Sequence, residues 1–121
     1  MEPSDFRAVL KNLVQEVPGA WGAIFVDWEG ESVDLYATSD EYEVKLAGAH
    51  AGLLLTRLVA VGKDCTLGRT HSTVVRADNN QFFLHTLDEE YFVLLAASPR
   101  APTGQARHSL AAAVAALRRL V

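Results

Sequence analysis

The stretch KLAGAHAGLLLTRLVAV, residues 45–61, limits what this chain can fold into more than any other segment. It has helical length and good helix formers, yet apolar residues run nearly all the way round it. A helix on the surface of a small domain shows one apolar stripe and one polar face. Here Val44, Gly48, Ala51, Leu55 and Leu58 lie along one side, and Leu46, Ala49, Leu53 and Ala60 along another. The core of the same domain can cover the first set. The second set needs a different cover.

Composition narrows the choice. At 121 residues the chain is expected to form one domain, 1–121, large enough to hold a core without staples. Hydrophobic residues at 50% and charged residues at 21% exclude a disordered chain. A net charge of −4 offers no basic field, so nucleic acid is not an expected partner. The one basic cluster, Arg118 and Arg119, falls in the last turn of an expected helix and complements its dipole. The lone Cys65 excludes an internal disulfide and a cysteine-based metal cluster, and fits a reducing compartment. The acidic start MEPSDFRAVL lacks the apolar run of a signal peptide. The long apolar segments are interrupted by His50, Arg57 and Lys63, or stop after about eight residues, short of the roughly 20 a membrane span needs. The expectation is a soluble, cytoplasmic protein with no membrane partner.

Along the chain, Phe6, Val9, Leu10, Leu13 and Val14 recur at helical steps, entered at Pro3 or Ser4 and ended by Val17-Pro18-Gly19. Residues 20–27 and 32–37 read as a β-hairpin turning around Gly30. Its second strand sends Val33, Leu35 and Ala37 one way and Ser32, Asp34 and Tyr36 the other. The central helix is expected from an N-cap at Ser39 or Asp40 to about Val61, with a stop at Gly62. Residues 67–77 read as a third strand, and its mixed faces and Arg76 suit a sheet edge. Residues 81–87 and 91–98 are two further strands joined by an acidic turn. A closing helix from about 104 to 120, capped at Thr103 or its neighbour, carries Leu110, Val114, Leu117 and Val121 on one stripe. The result is an α+β layered domain, with the outer helices on one face of the sheet and the central helix on the other.

No motif in the chain carries catalysis. His50, His71, His85 and His108 fall on separate elements, and none has metal-site spacing. His50, inside an apolar helix, reads as a core or interface histidine, and a pH-sensitive interface is the sharper alternative. GKDCT at 62–66 lacks the first glycine and the hydroxyl of a phosphate loop, and Asp64 would repel the phosphate. Cys65 lies beside Lys63 but has no histidine next to it in sequence, so an inert turn cysteine is the simpler reading. The acidic pairs Asp40/Glu41 and Glu89/Glu90 fall at a helix start and in a turn, where capping and solvation account for them. No cofactor and no metal are expected, and no catalytic residue is nominated.

The element order and three segments together resemble the Roadblock/dynein light-chain family across about residues 5–120. The segments are VPGAWGAIFVDWEGESV, VVRADNNQFFLHTLDEEYFVLLAA and GQARHSLAAAVAALRRL. The resemblance implies a five-stranded antiparallel sheet in the order α-β-β-α-β-β-β-α, a profilin-like layering. It also implies a homodimer in which central helices pack together and third strands pair. Gly48, Ala51, Gly52 and Leu55 on the helix, with Thr73 and Val75 on the strand, are the expected seam. Among bacterial relatives the chain is similar to the MglB-type regulators of small Ras-like GTPases, which implies such a GTPase as partner. Arg57, Arg69, Arg76, Arg100 and Arg107 are the arginines a regulator could offer to it. The sequence ends directly after the last helix, so no C-terminal partner-binding segment is expected. The rival readings are a scaffold subunit that leaves nucleotide turnover alone, a profilin-like small-ligand sensor, and more remotely a hydrolase using Cys65.

Overall fold

The computed structural model describes residues 3–121, with side chains from Asp5 onward. Its elements are α1 (Pro3–Glu16), β1 (Ala20–Asp27), β2 (Ser32–Ala37), α2 (Glu41–Asp64), β3 (Ser72–Arg76), β4 (Gln81–Thr86), β5 (Tyr91–Ala97) and α3 (Thr103–Leu120). The five strands form one antiparallel sheet in the order β2-β1-β5-β4-β3. The expected fold class and element order are therefore those of the molecule. The first helix, expected to be entered at Pro3 or Ser4, is described from Pro3, and the side chains of both residues lie outside the described ones.

Strand position follows from sequence. Residues 92–97 of β5 and 22–26 of β1 are buried without a break, as a strand covered on both faces must be. These two lie at the centre. Mixed β2 and β3 fall at the edges, where Arg76 stays in water. Pleating then splits the core in two. Ala23, Phe25, Phe83, Val93 and Leu95 meet Leu10, Leu13 and Val14 of α1 and Leu110, Val114 and Leu117 of α3. Ile24, Val26, Leu84, Phe92 and Leu94 face the other way, toward Val44, Ala51 and Leu55 of α2. The hairpin splits likewise: Leu35 and Ala37 turn to the α2 side and Tyr36 to the α1 side, whereas Val33 is exposed. Its turn is held by Asp27, whose carboxylate accepts from the Glu29 and Glu31 amides at 3.0 and 2.9 Å.

Of the two expected caps of α2, Asp40 is the one used, its carboxylate accepting from the Tyr42 amide at 2.9 Å. Other boundaries differ from expectation. The helix does not stop at Gly62 but continues to Asp64. Gly62 is needed because the following loop folds back on the helix. The Leu67 and Gly68 amides donate to its carbonyl, and a Cβ there would strike the Gly68 carbonyl. That loop occupies residues 65–71, which shortens β3 to Ser72–Arg76. At the far end α3 is preceded by Pro102 with no side-chain cap, and Val121 lies past the last turn, exposed.

Candidate interaction surface

The inward side of α2 is made of small residues. Val44, Gly48, Ala51, Gly52 and Leu55 are buried on it. A Cβ on Gly48 would sit 3.2 Å from the Ile24 side chain, and one on Gly52 would sit 2.8 Å from the Trp28 carbonyl. The two glycines therefore let α2 lie close on β1. This corrects the expected seam: Gly48, Ala51, Gly52 and Leu55 are turned to the chain's own sheet. The first apolar set, from Val44 to Leu58, is covered by the domain as expected.

The second set is not. Leu46, Leu53, Leu54 and Val61 are exposed, Leu53 by 68%. The helix lies over β1, β2 and part of β5, and between its flank and β3–β4 a groove of about 390 Å³ stays open. Leu46, His50 and Leu54 form one wall, with Val75, Phe82 and Leu84 on the strands. Trp21 closes one part, its indole N–H donating to the Asn80 side chain at 2.9 Å. Of the two strand residues also expected at the seam, both half-buried, Val75 pairs with Phe82 and lines this groove, whereas Thr73 pairs with Leu84 and lines a second groove toward α3. Among the described residues β3 is hydrogen-bonded to β4 alone, so its outer edge is free of them. A free strand edge beside an apolar groove is a place where another chain can add.

At 24 residues, α2 is also long and apolar enough to cross a membrane by length and composition. That corrects the expectation that no segment reaches this length, which counted the polar interruptions and missed the extension to Asp64. One apolar side of the helix packs on the sheet; of the other, Leu46 borders the groove and Leu53 is exposed.

The remaining nominated residues are scattered. Arg57, Arg69, Arg76, Arg100 and Arg107 are all exposed, and none is hydrogen-bonded or ion-paired among the described residues. His71 and His108 are exposed, and His85 is half-buried with Nδ1 3.0 Å from the Thr86 carbonyl. A second groove, about 320 Å³, lies between α3 and the β3–β4 pair, and His85, Arg107 and His108 line it. Exposed Cys65 ends α2, its amide donating to the Val61 carbonyl. Among the described residues no three His, Cys, Asp or Glu side chains group as metal ligands would. Sequence reasoning missed the groove walls Trp21, Phe82 and Asn80, which lie far from α2 in the chain and give no local signal.

No protein-family model matches the chain, and no curated protein does. Solved structures do. A Roadblock/LC7 domain from Streptomyces avermitilis superposes with a TM-score of 0.88 at 20% identity, over 96% of this chain and 97% of its own. The gliding protein MglB of Thermus thermophilus superposes with a TM-score of 0.88 at 17% identity, over 99% and 91%. MglC from Myxococcus xanthus does so with a TM-score of 0.69 at 24% identity, over 97% and 99%. The chain has the Roadblock/LC7 fold, shared with MglB and MglC.

Proposed function

We propose that this chain is a homodimeric, cytoplasmic regulatory module that binds a small Ras-like GTPase and changes its hydrolysis or its switch state. One observation carries the dimer: the outer flank of α2 is apolar and uncovered, an apolar groove separates it from β3, and β3 is an edge strand of the sheet. A second copy of the same chain closes such a surface by an isologous two-fold contact. The GTPase follows from the sequence resemblance to MglB-type regulators, and the superposition on MglB over nearly the whole chain supports it. In this reading the protein needs no catalytic site of its own, because a regulator acts by ordering the GTPase's switch segments or by lending it charge.

The test is to measure hydrolysis and nucleotide exchange by a cognate Ras-like GTPase with and without this protein. A changed rate is expected. Tight binding with both rates unchanged would make the protein a scaffold instead. Absence of binding would remove the GTPase reading altogether.

A further inference from the structure

We propose that the groove between α3 and the β3–β4 pair docks a short acidic segment of a partner protein, with a carboxylate on Arg107 and an apolar side chain on the groove floor. The groove lies on the face of the sheet opposite α2, and its walls all come from one chain. Neither the dimer nor the GTPase proposed above is needed for it.

Charge singles out this groove. The chain holds 15 acidic side chains and 11 of Lys or Arg, but they are unevenly divided. Residues 1–64 carry 11 acidic groups against 5 basic ones, whereas residues 65–121 carry 4 against 6. None of the 18 residues of α3 is acidic. The ionisable groups that line the groove are Arg107, His108 and His85, with no carboxylate among them. In a chain with acid to spare, Arg107 and His108 have no hydrogen-bond or ion-pair partner among the described residues. His85 is anchored by Nδ1, 3.0 Å from the Thr86 carbonyl, which leaves Nε2 free. A carboxylate set on Arg107 displaces no partner within the chain, and the apolar walls beside it focus the attraction.

Shape supplies the apolar half of the recognition. Gly104, Arg107, His108 and Ala111 form one exposed flank of α3, at the helical spacing that keeps them on one side. A Cβ on Gly104 would meet no atom within 4 Å, and Ala111 adds only a methyl, so a peptide backbone can come close between them. Beneath this flank lie half-buried Val74 and buried Phe83 and Leu110. A space of about 320 Å³ takes a few side chains of an extended segment and no folded element. An extended segment turns alternate side chains to opposite sides, so carboxylates alternating with apolar residues would meet Arg107 and the floor together. A nucleic acid or a lipid surface calls for a broad basic field, which a chain of net charge −4 does not offer.

The experiment is fluorescence anisotropy of a labelled peptide of alternating Glu and Leu, with circular dichroism to follow the fold of each variant. The wild type should bind this peptide and should not bind its counterpart with Lys in place of Glu. Arg107→Glu should weaken binding about tenfold or more. Arg119→Glu changes the net charge equally at an exposed position outside the groove, and should leave the Kd within about twofold. Ala111→Trp, at an exposed position, fills the groove without changing charge and should weaken binding as much as Arg107→Glu. Failure of the Glu peptide to bind, equal losses in Arg107→Glu and Arg119→Glu, or undiminished binding by folded Ala111→Trp would each overturn the proposal. Co-sedimentation with phosphatidylglycerol vesicles in place of peptide binding, lost in Arg107→Glu, would give the groove to a lipid surface and overturn it as well.

Discussion

Small side chains decide how α2 meets the sheet. Alanine is a better helix former than glycine by up to about 1 kcal/mol, which alone would favour Gly52→Ala. The added methyl would stand 2.8 Å from a backbone carbonyl, that of Trp28, which cannot rotate aside. Overpacking of that kind costs about 1–3 kcal/mol, so the clash wins. Gly52→Ala should lower the urea midpoint, whereas Gly104→Ala, with no atom within 4 Å, should raise it by up to about 1 kcal/mol of stability. Gln81 decides a second junction. Buried at the start of β4, its side-chain amide nitrogen reaches the carbonyls of Ser98, Pro99 and Ala101 at 3.1, 3.1 and 3.2 Å. This ties β4 to the loop that leads into α3. Gln81→Leu keeps the volume and removes the donor, so denaturant unfolding should show a loss of about 1–3 kcal/mol.

Within single elements, α2 separates what a sequence shows from what it hides. Its last turn, which runs on to Asp64, was not legible, but its double apolarity and its acidic first turn were, from residues 40 to 61. So were the buried runs of β1 and β5 and the antiparallel hairpins. The facing of each small residue was not. Glycines at 48 and 52 can admit a sister helix or a sheet, and only the position of Ile24 and Trp28 beneath them settles which. Likewise, a glycine at 62 reads as a stop until the loop at 67–68 is seen folding back on it. The groove walls on β1 and β4 left no trace at all, since a half-buried aromatic on a strand looks the same whichever helix it meets. Adjacent positions on α2 therefore give opposite outcomes. Leu55 is fully buried under the helix and Leu54 faces out at 39% exposure. Leu55→Asp should unfold the domain by placing an unpaired carboxylate in the core. Leu54→Asp should leave the thermal transition of the single chain nearly unchanged and abolish self-association.

For the whole molecule the question is what covers the open side of the sheet. The α1–α3 layer covers one face, and α2 covers only part of the other. The uncovered remainder joins an apolar helix flank, an apolar groove and a free strand edge into one continuous surface. Its two-fold closure would account for the exposed leucines and the open edge together, and would leave the rest of the surface to a GTPase. The most direct test is the mass in solution by sedimentation equilibrium at neutral pH and micromolar concentration. The account predicts twice the 13.2 kDa of the chain for the wild type and 13.2 kDa for folded Leu54→Asp. A wild-type protein that sediments as a folded 13.2 kDa monomer throughout that range would contradict it.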